Sequence, residues 1–272
     1  MNMKSDKNWI NINYISKQEE MVKHQTEDFF GKGRNGFCDI ALDGIELLLQ
    51  GIGYLRNEDY LESKDGWNNF NHALRTLTFY QYYRITYTFK ASYNLFSQGY
   101  YTEASILMRH IIETFIRLRY IAKERNIQLI DLTFAGHRGF KDKKFKITYK
   151  AQFDKIAPGL YKYYQILCDI AHGAMASYIL KTKIVGNKVL VDTGVIFKPE
   201  DSTFITNQFY VYLLAHLEFM MWVFPEIKVN MPENYAEKYH KTLGHIWSFM
   251  KEISQRDKNK EWYSSVKQIV NI

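Results

Sequence analysis

Cysteine and proline are scarce in this chain of 272 residues, and their scarcity excludes whole classes of protein. The two cysteines, Cys38 and Cys168, are too few for a disulfide framework or a cysteine-rich zinc site. We expect both to be reduced thiols, which favours an intracellular, cytoplasmic protein. Only four prolines and 15 glycines interrupt the chain, so long helices are favoured over many turns.

The sequence also lacks a long apolar run. The nearest candidate, residues 209–224, contains His216 and Glu218, whereas a membrane-spanning helix needs about 20 mostly apolar residues. The first 20 residues carry charged side chains throughout and have no apolar stretch of the kind found in signal peptides. We therefore predict neither a membrane span nor a secretory leader.

Apolar residues recur at helical spacing along most of the chain, and this pattern predicts a mainly α protein. Helices are predicted over 17–30, 39–55, 67–98, 100–125, 160–176, 204–224, 235–254 and 262–270. Between residues 178 and 197, two segments rich in Ile, Val and Thr flank Gly186-Asn187, a favoured two-residue hairpin turn. The expected fold is a single domain over 1–272: a multi-helix bundle with core helices at about 67–125 and 160–224 and one small β-hairpin.

Ionisable side chains interrupt two of the most apolar predicted helices. Arg109 and Glu113 are four residues apart on one, and Asp169 and His172 are three apart on the other. A buried charge is costly unless it is paired, so these four residues are the best candidates for a site. If the two helices pack together, His172 could act as general acid or base, oriented by Asp169, while Arg109 holds an anion. That combination suits phosphodiester chemistry.

Two other interpretations of these residues remain open. The four side chains could form a structural polar network that fixes the register of the two helices. Asp169 and His172 could instead share a metal ion, but no second pair with metal-ligand spacing accompanies them. We therefore predict no metal and no cofactor.

The net charge of +7 permits a nucleic-acid partner, and the strongest basic segment indicates where one would bind. Its cations are Arg138, Lys141, Lys143, Lys144 and Lys146, and aromatic residues are interleaved among them. Lysines with aromatic neighbours are typical of single-stranded nucleic-acid binding. A solvated lysine-rich loop with no partner is the alternative.

The segment 209–224 is apolar on most faces of its predicted helix and needs cover on all sides. It could be buried centrally within its own chain. It could instead supply aromatic and Met anchors to a two-fold homodimer. We predict a homodimer, with the central helix as the alternative.

One pattern in the sequence consists of Ala104, Arg109 and Glu113 on one helix, followed by His172 beside Gly173-Ala174. This pattern resembles an uncharacterised family of bacterial helical proteins. That family is similar to the HEPN superfamily, helical domains common in phage-defence and toxin–antitoxin systems. Many HEPN proteins are metal-independent ribonucleases. Their usual motif, Arg followed four to six residues later by His on one helix, is absent here, and His172 is the nearest substitute.

The resemblance and the residues together lead to two hypotheses. The first is a defence-related protein that binds RNA and acts as a metal-independent ribonuclease through Arg109, Glu113, Asp169 and His172. The second is a non-catalytic interaction module in a defence system: a sensor, an antitoxin partner or a scaffold that binds the product of a neighbouring gene.

Overall fold

The computed structural model describes residues 12–32, 36–55, 69–134, 147–172, 182–185, 188–191, 197–254, 264 and 266–267. Over these residues the chain forms ten α-helices. They are α1 (Ile12–Thr26), α2 (Phe37–Leu55), α3 (Phe70–Ser97), α4 (Tyr101–Glu124), α5 (Ile127–Phe134), α6 (Tyr149–Ile156), α7 (Tyr161–Ala171), α8 (Pro199–Val223), α9 (Glu226–Asn230) and α10 (Glu233–Ser254). A π-helical segment over Glu27–Lys32 follows α1, and a 3₁₀ turn over Pro158–Leu160 precedes α7. The prediction of a mainly α protein is confirmed.

A tight turn joins α3 to α4 and sets the two helices side by side. The side chain of Asn69 caps the start of α3 by accepting a hydrogen bond of 2.9 Å from the backbone of His72. Gly99 has a φ of +87°, a left-handed conformation that glycine adopts without steric cost. Inside the pair, the Ser92 hydroxyl donates to the carbonyl of Ala104 at 3.1 Å. This turn fixes which faces of α3 and α4 meet.

The most deeply buried helix is α8, which covers the apolar segment 209–224. Every residue from Phe209 to Leu217 is at most 1% exposed, and Trp222 near the end of the helix is 47% exposed. The helix is therefore central within its own chain, which was the alternative to the homodimer interpretation. It does not offer the free apolar face on which the dimer prediction depended. A homodimer stays a prediction, but without α8 as its interface.

Buried polar contacts tie α8 to α3 and α4. The hydroxyl of Tyr82 donates to the backbone carbonyl of His216 at 2.8 Å. The His216 ring contacts the carbonyl of Ile111 through Nε2 at 3.2 Å. On another side, α2 approaches α8 so closely at Gly44 that a methyl group added there would meet the side chain of Leu213. These contacts pack α8 against α2, α3 and α4, and α4 carries the site described below.

Two short strands, β1 (Thr182–Val185) and β2 (Lys188–Val191), pair antiparallel. Thr182 lies opposite Val191, and Val185 lies opposite Lys188. Gly186-Asn187, which would form the turn, falls outside the described residues, as do residues 178–181 and 192–196. The hairpin over 178–197 therefore stays a prediction.

None of the helices in the described ranges combines the length and the apolar character needed to cross a membrane. Both cysteines are free thiols, with Cys38 buried and Cys168 partly exposed.

Candidate anion-binding site

The centre of the site is an ion pair on one face of α4. Arg109 Nε donates to Glu113 Oε1 at 2.9 Å, one helical turn away. The two side chains are 26% and 15% exposed, so water reaches them only in part. The Tyr164 hydroxyl on α7 donates to the same Oε1 atom at 2.8 Å. One carboxylate oxygen thus holds both the guanidinium and a side chain of the neighbouring helix.

His172 completes this cluster from the end of α7. Its backbone N–H donates to the carbonyl of Cys168 at 2.9 Å and closes the last turn of the helix. Its ring nitrogen Nε2 lies 3.3 Å from Nη1 of Arg109. Because a guanidinium can only donate, this contact is a hydrogen bond when Nε2 of His172 is the acceptor.

The structure brings together three of the four residues that the sequence singled out. Arg109, Glu113 and His172 form one connected group, whereas Asp169 is exposed on α7. Within the part of the chain that the structure describes, no hydrogen bond joins Asp169 to His172. The contact that His172 does make is with Arg109, a cation rather than a carboxylate.

The electrostatics of the cluster keep both groups that donate to Glu113 protonated, namely the Tyr164 hydroxyl and the Arg109 guanidinium. Burial raises the pKa of the Tyr164 hydroxyl, and its hydrogen bonds to Cys168 and Glu113 raise it further. Burial alone would lower the pKa of Arg109, but the hydrogen bond and the charge of Glu113 outweigh it and raise the pKa. Tyr164 therefore remains a neutral donor, and Arg109 remains a cation.

A cleft of about 530 Å³ opens beside the cluster, between α3, α4, α5 and the start of α6. Its lining residues are Gln81, Arg84, Ile106, Arg109, His110, Glu113, Thr114, Arg117, Thr133 and Tyr149. Three of these lining residues are arginines: Arg84, Arg109 and Arg117. Glu113 is the one carboxylate among the described lining residues. Since Glu113 already binds Arg109 and Tyr164, the cleft carries an excess of positive charge.

Arg84 and Arg117 supply that excess. Among the described residues, no carboxylate forms an ion pair with either guanidinium. Arg117 donates through Nη2 to the Tyr149 hydroxyl, and its Nε is buried with no partner in the described ranges. Its guanidinium also lies over the Tyr149 ring, 5.5 Å from the centroid. The remaining donors of the two guanidinium groups can bind an anionic group such as a phosphate.

The sequence did not single out four residues of the site: Arg84, Arg117, Tyr149 and Tyr164. Arg117 falls on the face of α4 that also holds His110 and Thr114, and a polar stripe of this kind is normally solvated. Here α3, α5 and α6 turn that stripe into the wall of a cleft. The sequence of α3 could have indicated an anion-binding surface, because this helix carries Arg84 and contains no acidic residue.

The predicted nucleic-acid-binding residues Arg138, Lys141, Lys143, Lys144 and Lys146 lie outside the described residues. Thr133 and Tyr149, which stand on either side of that segment in the sequence, both line the cleft. The part of these cations in binding stays a prediction. The described residues contain no group of three or more His, Cys, Asp or Glu side chains that could hold a metal ion.

Comparison with known proteins finds one family model, described as a family of unknown function (DUF5677), which matches residues 75–158. The matched segment is less than a third of the chain. It contains Arg84, Arg109, Glu113 and Arg117 and ends before Tyr164 and His172. No curated protein and no solved structure shows a significant match. The relation to HEPN proteins stays a prediction.

Proposed function

We propose that this protein is an RNA-binding protein of a bacterial defence system and that the cleft between α3 and α4 holds RNA phosphates. The observation that carries the proposal is the placement of Arg84, Arg109 and Arg117 around one cleft of about 530 Å³. The only carboxylate among its described lining residues is already engaged by Arg109 and Tyr164. Guanidinium groups bind phosphate through paired donors, and such contacts supply most of the affinity of nucleic-acid binding.

The defence context has a different support. It depends on the resemblance of Ala104, Arg109, Glu113 and His172 to the helical family related to HEPN proteins. The HEPN-like bundle is part of the same proposal, and it is compatible with the mainly α fold. The geometry of the cleft supports RNA binding independently of this resemblance.

RNA cleavage without a metal ion is the catalytic form of the proposal. A ribose hydroxyl that replaced Arg109 at Nε2 of His172 would give its proton to that nitrogen. The O2′–P bond would form as the P–O5′ bond breaks, and the leaving 5′ oxygen would take a proton from water. The hydroxide left by that water would take up the proton that His172 received. Arg109, released from the ring, would neutralise the charge that develops on the phosphate.

The non-catalytic interaction module is the second candidate, and the same contacts support it. Glu113 accepts from both Arg109 and Tyr164, and Arg109 also reaches His172. A network whose hydrogen bonds are satisfied in this way can have a purely structural role, which is to hold α7 on α4. Such a protein would be a sensor, an antitoxin partner or a scaffold with no turnover.

Binding is tested by titrating a labelled RNA into the parent protein and into an Arg84→Gln/Arg117→Gln variant. We expect the variant to bind at least tenfold more weakly, because two phosphate contacts are removed. Lys17→Gln/Lys241→Gln is the matched control, since it also removes two positive charges and both lysines are exposed, on α1 and α10, and do not line the cleft. Equal weakening in the control and the variant would show that only net charge matters and would overturn the cleft as the binding site.

Cleavage is tested by incubating the protein with total RNA and with tRNA, with and without a chelator. The catalytic form predicts cleavage that persists with the chelator and is lost in His172→Ala. If no RNA is cleaved, or if His172→Ala cleaves as the parent does, His172 is not a catalytic residue and the non-catalytic candidate is favoured.

A further inference from the structure

Three tyrosines stand half-exposed along one face of α3. Tyr80, Tyr83 and Tyr87 are 48%, 51% and 55% exposed. Residues spaced by three, four and seven positions lie on the same face of a helix, and about 10 Å of helix rise separates the first from the last. Clustered large apolar side chains on a surface mark a binding site more often than scattered ones do.

A fourth ring extends this surface. Phe134, at the end of α5, is 43% exposed and meets Tyr80 edge to face, with ring centroids 6.1 Å apart. Tyr83 and Tyr87 meet in the same manner at 5.4 Å. We call Tyr80, Tyr83, Tyr87 and Phe134 the aromatic row. The row thus consists of two edge-to-face pairs, and each ring remains partly open to solvent.

The aromatic row borders the arginine cleft on two helices. On α3, Arg84 stands between Tyr83 and Tyr87 on the same face and lines the cleft. On α5, Thr133 lines the cleft and is followed at once by Phe134. One extended ligand can therefore contact the cleft and the aromatic row together.

The charge of α3 matches a polyanion. Its 28 residues contain no Asp or Glu, and Arg84 and Lys90 are exposed, whereas Arg75 is paired with Glu226 on α9. The exposed face of the helix thus offers flat rings and cations and no carboxylate that would repel phosphates. Single-stranded nucleic acid has the complementary chemistry, with unpaired bases that stack on aromatic rings and a charged backbone.

We propose that the aromatic row binds single-stranded RNA by stacking unpaired bases on its rings while the backbone phosphates lie in the cleft. The proposal depends on the RNA binding proposed above and names its substrate class. Duplex RNA hides the faces of its bases within the helix, so the row selects single strands over duplexes. Because every base has a π face, stacking of this kind tolerates many sequences.

The test compares a labelled single-stranded 12-nucleotide RNA with a duplex of the same length. The parent should bind the single strand at least tenfold more tightly. Tyr83→Ala/Tyr87→Ala should weaken this binding about five- to a hundredfold for each stacked base that is lost. Tyr83→Phe/Tyr87→Phe should bind as the parent does, because it keeps both rings. Tyr14→Ala is the matched control, since Tyr14 is 47% exposed on α1, away from the cleft lining.

The salt dependence of binding distinguishes base stacking on the aromatic row from phosphate binding in the cleft. Loss of stacking should lower affinity by the same factor at every salt concentration, whereas loss of Arg84 and Arg117 should flatten the dependence on salt. If the arginine variant weakens binding and the alanine variant does not, the cleft binds RNA and the aromatic row does not. Equal affinity for the single strand and the duplex would also contradict base stacking on the aromatic row. If the alanine variant changes only the mass measured by light scattering, the row is a protein interface. No RNA binding by the parent overturns both proposals.

Discussion

Nη1 of Arg109 on α4 lies 3.3 Å from Nε2 of His172 at the end of α7, although 63 positions separate the two residues in sequence. The contact exists because Glu113 holds the guanidinium from one side and Tyr164, on α7, holds Glu113. Arg109 is thus the link between the polar end of α7 and the cleft that α4 shares with α3. The stability of this arrangement and the proposed binding of RNA can be tested separately.

Glu113→Gln should lower the free energy of unfolding by about 1–3 kcal/mol, because Arg109 would be left partly buried without its counter-charge. The substitution keeps the size of the side chain and an oxygen that can accept from Tyr164. Urea unfolding measures the loss. The control is Asp154→Asn, which removes the carboxylate of an exposed pair with Lys150 at the same spacing. A loss in the control as large as in Glu113→Gln would mean that burial of the Arg109 pair has no special effect.

Gly44→Ala tests the close approach of α2 to α8. A methyl group at Gly44 would overlap Cδ2 of Leu213, which is fully buried. We expect a loss of about 1–3 kcal/mol from overpacking, measured by thermal or urea unfolding. Gly53→Ala in the same helix has no atom within 4 Å of the new methyl group. It should leave stability unchanged or raise it by up to about 1 kcal/mol. A harmless Gly44→Ala would contradict the packing.

His216 should make stability depend on pH. Burial among the rings of Tyr82, Phe89 and Phe115 lowers the pKa of His216 to about 3. In the unfolded chain the same group has a pKa of about 6.5, so between these values the unfolded state binds the extra proton. Stability is therefore present above pH 6.5 and is lost as the pH falls, by up to about 1.4 kcal/mol per pH unit.

His216→Leu isolates this effect, because carboxylates titrate alike in the parent and the variant. Urea unfolding between pH 6.5 and 5 should show a smaller loss of stability with falling pH in the variant. Parallel curves for the two proteins would mean that His216 is protonated in the folded state or is not buried.

The lysine-rich segment has its own test. Replacing Lys141, Lys143, Lys144 and Lys146 together with Gln should weaken RNA binding and flatten its salt dependence, because each phosphate contact releases counterions. Folding should be unaffected, as thermal melts would show, since exposed lysines contribute little to stability. If the variant binds RNA as the parent does at two salt concentrations, the segment is a solvated loop and the cleft acts without it.

The periodicity of apolar residues predicted the long helices well because capping and helix-ending residues mark where such helices begin and end. The chain from Phe70 to Ser97 contains no Gly or Pro, Asn69 caps its start and Gly99 ends it. The short helix α9 was not predicted, because Pro225 and Pro232 indicated a loop. Proline fits the first turn of a helix, where its missing N–H is not needed, and α9 begins directly after Pro225.

The candidate site was predicted only in part, for a physical reason. The spacing of Arg109 and Glu113 within one helix fixes their contact, so sequence alone could predict it. The sequence did not single out Tyr164, because it lies among apolar buried residues of α7, although its hydroxyl reaches Glu113. Arg84 and Arg117 come from helices whose relative placement no local pattern encodes. Tertiary packing alone brings these two cations to one cleft.

The most direct test of the arginine cleft is the salt dependence of its affinity for single-stranded RNA. A plot of the logarithm of the binding constant against the logarithm of salt concentration gives the number of phosphate contacts. Each contact on a single strand contributes about 0.7 to the slope, so Arg84→Gln/Arg117→Gln should flatten it by about 1.4 relative to the parent. The same slope and the same affinity in both proteins would show that no phosphate is bound at Arg84 and Arg117, and would contradict the proposed function.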